Sequence, residues 1–245
     1  MADSALLAGR AVVKRFGGLV AVNAVDFEVR RAEIFGLIGP NGAGKTTLFR
    51  CISGMYAPTS GSIRLRGKEI GGLAAHVVCA RGVVTTHQIV RPFLEMNVRR
   101  NVLVGVLYGR SGLRGARADA EVQRILEFTE LAPHEHIAAK SLTLARRKRL
   151  EVARALATRP DVLLLDEVAA GLNPTESARM VELIRRIRDA GVTIVMVEHV
   201  MKAIMSVSDR IMVMDLGAKI AEGAPAEIAK DQRVIKAYLG QEAVA

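Results

Sequence analysis

The sequence predicts an α/β fold, with a parallel-sheet core, a β-rich amino-terminal portion and a helical insertion, and three observations carry that prediction. Short apolar strand patterns separated by Gly-rich turns fill the first 85 residues. Helical periodicity takes over over roughly 97–157. Strands and helices then alternate to about residue 214, as parallel βαβ units require.

Taken in order, strands are expected over 11–13, 25–29, 34–38, 62–65 and 82–85, each a short apolar run ended by turn residues. In the helical stretch the clearest amphipathic run is 118–131, and Pro133 breaks it. Val162-Leu163-Leu164-Leu165 reads as a buried strand, followed by a helix over 176–190, a strand over 193–197, a helix near 201–207 and a strand over 210–214. No internal repeat, Pro/Ser-rich linker or low-complexity tract divides the 245 residues. A single domain over 1–245 is therefore expected, with its helical part at about 89–158 and a carboxyl-terminal tail at about 225–245.

Gly39-Pro40-Asn41-Gly42-Ala43-Gly44-Lys45-Thr46 satisfies the phosphate-loop pattern G-x-x-x-x-G-K-[S/T] at every required position, directly after the strand pattern at 34–38. Its glycines let the backbone turn tightly and bring N–H groups close to phosphates. The helix that opens near Lys45 points its positive dipole end the same way. Lys45 is placed to reach the β- and γ-phosphates and the Thr46 hydroxyl to hold Mg²⁺, with Thr47 completing the loop's cofactor-binding set. ATP and Mg²⁺ are the expected cofactors. A chance Gly-rich turn is the bland alternative, and the agreement of strand, loop and helix argues against it.

The strand at 162–165 runs into Asp166-Glu167, so two carboxylates stand where an α/β sheet presents ligand groups. Asp166 would orient Mg²⁺ through water, and Glu167 would accept a proton from the attacking water or polarise it. Alone, such a run is a strand meeting a polar turn; its weight comes from the phosphate loop. The strand at 193–197 ends likewise in Glu198-His199, which gives His199 a γ-phosphate-sensing role, although a lone His is usually structural or solvated. Gln88, after the strand at 82–85, is a loop glutamine that could contact Mg²⁺ or the attacking water and report that contact to a neighbouring surface.

A formal charge of +10 favours polyanions, but aromatic residues make up only 4%, and no aromatic and basic stretch interleaves for base stacking. Nucleic acid is not an expected partner. The basic runs at 146–149 and 185–188 read as solvated helix faces, or else as contacts with anionic lipid headgroups or a membrane partner. Cys51 and Cys79 read as reduced, packed thiols. His134-Glu135-His136 lacks a third metal ligand at a convincing spacing and reads as a solvated connection. The first ten residues lack the basic lead and apolar core of a secretory signal, and no apolar run is long enough to span a membrane. A soluble cytoplasmic protein is expected.

With these motifs in order, the chain resembles an ATP-binding-cassette (ABC) transporter ATPase over nearly its whole length. The phosphate loop, Gln88, a signature-like helix start near 142–156, Asp166-Glu167, Gly171-Leu172-Asn173-Pro174 and His199 occur in the family's order and spacing. The resemblance implies a P-loop cassette with an antiparallel β portion at its amino terminus. It makes Phe16 the aromatic that stacks on adenine, against the alternative of a core Phe beside Val12 and Val13. Arg15-Phe16-Gly17-Gly18-Leu19-Val20-Ala21-Val22, the segment 166–174 and Arg233-Val234-Ile235-Lys236-Ala237-Tyr238-Leu239-Gly240 look like the LivG-type ATPases of branched-chain and hydrophobic amino acid importers. That likeness implies a subunit on the inner face of the membrane, working with a second cassette in a heterodimer, two permeases and a periplasmic binding protein. The segment 88–93, lying where the core meets the helical insertion, is expected to form part of the groove that receives a permease's cytoplasmic helix, with Phe93 as the apolar anchor and Arg91 at the rim, unless Phe93 packs internally.

The signature departs from the family's pattern. Where Leu-Ser-Gly-Gly-Gln or Leu-x-Tyr-Gly-Gln is expected, this chain has Leu142-Thr143-Leu144-Ala145-Arg146. In the family this segment serves the γ-phosphate on the opposite subunit. Ala145 adds a methyl where glycine allows close backbone approach, and Arg146 replaces a neutral amide by a cation. Val168 also replaces the proline that usually follows the catalytic glutamate. Two rivals to an importer ATPase are a regulatory nucleotide-binding subunit with a degraded signature and an exporter-type ABC ATPase; the intact phosphate loop and strand ends argue against the first, and the ending Tyr238-Leu239-Gly240 against the second.

Overall fold

The structure is a computed structural model and describes residues 5–86 and 92–242. The chain opens with β1 (Leu7–Phe16), β2 (Leu19–Val29), β3 (Ile34–Ile38) and α1 (Lys45–Ile52). β4 (Ser60–Leu65), β5 (Lys68–Glu69), α2 (Ala75–Arg81) and β6 (Val83–Thr85) follow. The helices α3 (Val98–Tyr108), α4 (Gly115–Phe128) and α5 (Leu144–Ala157) lead into the alternating half, β7 (Val162–Asp166), α6 (Pro174–Asp189), β8 (Thr193–Val197), α7 (Met201–Val207) and β9 (Arg210–Asp215). β10 (Ala218–Gly223), α8 (Pro225–Ile228) and α9 (Gln232–Glu242) complete it.

These elements form two sheets. An antiparallel sheet has the order β2-β1-β4-β5, and a larger sheet has the order β10-β9-β3-β8-β7-β6. The larger one is parallel except at its edge, where β10 runs antiparallel to β9. Every residue of β3 and β8 is buried, which is why both read as continuous apolar runs instead of alternating patterns. One hydrophobic cluster joins α1 to both sheets through Leu48, Phe49 and Ile52. A second packs α6 and α7 on the opposite face of the larger sheet. The helices α3, α4 and α5 bury a cluster of their own, including Val102, Val122 and Leu150.

Several boundaries differ from the sequence reading, each for a local reason. β1 and β2 are longer than expected because they pair with one polar face outward; Lys14 and Arg15 continue the β1–β2 ladder, and Arg10 the ladder to β4, without adding to an apolar pattern. The helix expected at 176 starts at Pro174, where Asn173 and Glu176 form a reciprocal capping box and proline takes the first helical position. α2, inside the stretch read as strands, has only Val78 buried and ends at Gly82 with φ +106°, so it offered little periodicity. The run 146–149 is not a solvated face. Four consecutive helical residues span more than a full turn, and here Lys148 and Arg149 point inward at 5% and 9% exposure. The second run is tied down at the surface, Arg186 to Glu130 and Arg188 to Asp209.

Candidate functional site

Adjacent parallel strands deliver the site to one sheet edge. β8 lies between β3 and β7, with Val197 level with both Leu37 and Asp166. The residues that follow therefore leave the sheet side by side: Gly39 opens the phosphate loop, Glu167 the loop after β7, and Glu198-His199 the loop after β8.

The phosphate loop is fixed by crowding at its ends. A Cβ on Gly39 would lie 2.0 Å from the Met214 carbonyl oxygen and one on Gly44 2.2 Å from that of Ala21, at φ +149° and +94°. Only glycine fits either position. Lys45 is buried, and its Nζ donates to the carbonyls of Gly39 at 2.6 Å and Pro40 at 2.8 Å. Burial pushes its pKa down, and the nearby Glu167 carboxylate pulls it back up. The cation is thus held inside the loop that a polyphosphate would meet.

A cleft of about 580 Å³ gathers Phe16, Asn41, Gly42, Ala43, Gly44, Lys45, Thr46, Thr47 and His199. Phe16, opposite Leu19 at the β1–β2 turn, is 43% exposed, so it is no core residue. The Tyr56 ring props it edge-on at 5.3 Å, and the Lys14 ammonium lies 5.0 Å from its centroid. Glu167 and His199 face each other, Oε1 to Nε2 at 2.8 Å, with the imidazole half exposed and the carboxylate largely buried. Glu167 has φ +50°, unusual for a residue with a side chain, and its N–H donates to the Val197 carbonyl at 2.9 Å. Asp166 donates its backbone N–H to Thr86 Oγ1 at 3.3 Å. The Thr46 hydroxyl and the Asp166 carboxylate are hard oxygen donors, the kind that hold Mg²⁺ through one or two protein ligands with phosphates and water filling the rest. Gln88 and Arg91 lie outside the described residues.

The signature segment stands apart. Thr143 caps α5, its Oγ1 accepting the Arg146 N–H at a long 3.4 Å. Leu142 is buried, Thr143, Leu144 and Arg146 are exposed, and Ala145 is half-buried. A groove of about 270 Å³ beside it is lined by Thr143, Ala145 and Arg146 together with Arg149, Glu176 and Arg179. Arg146 has no ion-pair partner among the described residues.

Some residues of the site escape sequence reasoning. Lys148 of α5 donates to the Glu167 carbonyl at 2.6 Å, and Glu198 accepts the Ala169 N–H at 2.7 Å. Tyr238 of α9 packs against the sheet with its hydroxyl facing the Gly39 N–H; burial pushes its pKa up, and the Gly39 N–H offsets only part of that push. Glu198 could have been suspected from its place beside His199; nothing in the spacing marks Lys148, and Tyr238 was visible only as part of a tail.

Comparison with known proteins agrees with this arrangement. Residues 22–170 match the family described as ABC transporter, and residues 218–244 match the family described as Branched-chain amino acid ATP-binding cassette transporter. The chain is 44% identical over 250 aligned positions to the high-affinity branched-chain amino acid transport ATP-binding protein LivG of Salmonella typhimurium, covering 96% of this chain and 98% of the relative. It is 43% identical to the corresponding protein BraF of Pseudomonas aeruginosa, covering 93% and 94%. The crystal structure of the ADP conformation of an ATP-binding cassette of an ABC transporter superposes with a TM-score of 0.88 at 27% identity, covering 96% of this chain and 99% of that one. The chain belongs to the ABC transporter family, as one of its ATP-binding cassettes.

Proposed function

We propose that this chain is the ATP-hydrolysing subunit of an importer for branched-chain amino acids, working at the inner face of the cell membrane. The observation that carries the hydrolytic reading is the meeting of Lys45, Glu167 and His199 at one sheet edge, the last two 2.8 Å apart. The phosphate-loop amides and Lys45 bind the polyphosphate, Glu167 takes the proton of the attacking water, and His199 donates a hydrogen bond that registers the γ-phosphate. Mg²⁺, which Thr46, Asp166 and Gln88 would hold, would neutralise charge on the phosphate oxygens. Phe16 offers its exposed ring to the adenine. The match of 218–244 and the names of LivG and BraF support the substrate class.

Among the described residues no helix is long and apolar enough to cross a membrane, so this reading requires separate permeases. Phe93, at 43% exposure, has the Arg154 guanidinium 4.8 Å from its ring centroid. Its backbone is pinned on both sides by the buried Asn101 side chain, at 2.9 Å to the N–H and 3.0 Å to the carbonyl. A rigid, exposed aromatic of this kind suits a permease's cytoplasmic helix. The test is purification of the complex with a second cassette, two permeases and a binding protein, followed by ATP-driven uptake of leucine into vesicles. Uptake should require ATP and collapse with Glu167→Gln; a complex that binds ATP but transports no aliphatic amino acid would refute the substrate class.

The altered signature supports unequal pairing. In a sandwich of two different cassettes, this chain's intact phosphate loop meets the partner's signature, while its own Thr143-Leu144-Ala145-Arg146 serves the partner's loop. One competent and one impaired site result.

A further inference from the structure

The signature helix is joined to the Glu167 loop inside the protein by a charge outside the nucleotide cleft. Lys148 follows Leu144 by one turn of α5, is 5% exposed, and donates from Nζ to the Glu167 carbonyl at 2.6 Å. Glu198, 2% exposed, accepts the Ala169 N–H through Oε1 at 2.7 Å. The Val200 N–H also faces its carboxylate, yet Oε2 makes no hydrogen bond of ordinary geometry. Burial lowers the Lys148 pKa and raises that of Glu198, and each charge acts to draw the other back. Two opposite buried charges therefore grip the loop 167–169 by its backbone.

That loop needs holding. Glu167 sits at φ +50°, a strained conformation for a residue with a side chain, and the aim of its carboxylate at His199 follows from that backbone. Packing alone does not call for an ammonium here. Methionine fills a similar volume without the desolvation cost of a buried cation.

We propose that Lys148 is a positioning residue for Glu167, fixing the backbone of the base and making its position depend on where the signature helix sits. Leu144 and Lys148 are about 6 Å apart along a stiff helix axis, so a displacement of the signature end reaches the Glu167 carbonyl. The site that this chain's signature serves is thereby coupled to the site that its own Glu167 serves. The inference rests on Glu167 being the base of ATP hydrolysis.

The full chain, assembled with its partner cassette, is the protein to test. Lys148→Met should lower kcat for ATP hydrolysis about 10-fold or more while KM and the nucleotide Kd stay within about 3-fold, because misplacing a reacting group costs rate and not binding. Lys148→Arg, which keeps a cation able to reach the carbonyl, should restore most of kcat. Wild-type kcat in Lys148→Met, a loss carried by KM and Kd, or failure of Lys148→Arg to rescue each overturns the proposal. Should Lys148→Met not fold, Lys148→Gln, polar but shorter, takes its place with the same expectations. Glu167→Gln runs in parallel: turnover retained there removes the base assignment, whereas turnover lost there with Lys148→Met at the wild-type rate removes only the positioning role.

Discussion

At the carboxyl edge of the large sheet, Lys45 and Glu198 are buried and Glu167 is largely so, and each side chain is held by backbone or by His199. At the start of α5, Thr143, Leu144 and Arg146 are exposed, the Thr143 side-chain cap is a long 3.4 Å contact, and Arg147 holds the Leu142 carbonyl at 2.9 Å. The first region is tied down by its own chain, and under the proposed function its groups act on the nucleotide that this chain binds. The second is exposed, and under the proposed function it faces another subunit. A change at the first region disturbs local packing, whereas the second can exchange glycine for alanine and glutamine for arginine without disturbing the fold. Its departures from the family pattern are therefore to be read in activity, not in folding.

The largest expected effect separates chemistry from binding within the first region. Glu167→Gln keeps the shape and loses the proton acceptor, so hydrolysis by the assembled transporter should fall by ~10²–10⁴ with nucleotide affinity nearly unchanged. Steady-state turnover and equilibrium binding, measured together, check it; wild-type turnover would mean that another group takes the proton.

Next comes a repair of the second region. Leu144→Tyr, Ala145→Gly and Arg146→Gln together restore the family pattern, and since one well-placed donor to developing phosphate charge is worth ~10²–10³ in rate, the isolated chain should speed up by as much as that. The lone chain has the altered signature in both sites of any self-pair, so its wild-type rate should be low and should rise on adding the partner. Equal rates for wild type and the repaired triple variant would show that Arg146 already supplies what the glycine and glutamine would, and the contrast between the two regions would vanish.

The same contrast explains what was legible. The phosphate loop was readable because glycine spacing answers a backbone demand, shown here at Gly39 and Gly44, and the strand ends were readable because β3, β7 and β8 are unbroken apolar runs. The outline of the helical part and the order β7-α6-β8-α7-β9 followed from periodicity. α2 and β10 did not, since short or edge elements bury too little to leave a pattern. Lys148 was hidden inside a basic run that looked solvated, because a sequence shows charge but not which side of a helix turn meets a carbonyl. Tyr238 needed the tail to fold back before its nearness to Gly39 could be seen.

A smaller loss is expected at the loop itself. Lys45→Ala removes a charge-assisted partner of the phosphates, and hydrogen bonds of that kind carry about 1.5–3 kcal/mol, so nucleotide Kd should rise by roughly 10–100-fold. Titration with a fluorescent ATP analogue reads it. An unchanged Kd would show that the loop amides alone bind the polyphosphate and that the buried ammonium serves the loop's own carbonyls.

The smallest effect lies at the mouth of the cleft, where Phe16 contributes surface instead of charge. Its ring is 43% exposed, is propped edge-on by Tyr56 and keeps Lys14 close by, so it is ordered before any base arrives. Stacking on an aromatic side chain carries about 1–3 kcal/mol per base, and an exposed ring belongs at the low end, so Phe16→Ala should weaken ATP binding by roughly 5–10-fold. Phe16→Tyr keeps the ring and should bind as the wild type does. Because every base has a π-face, the loss should be similar for ATP and GTP, and kcat at saturating nucleotide should stay near the wild-type value. A loss confined to ATP would mean that the ring helps to read the edge of adenine, while unchanged Kd in Phe16→Ala would leave the exposed aromatic with no part in the site and place the base elsewhere along the cleft.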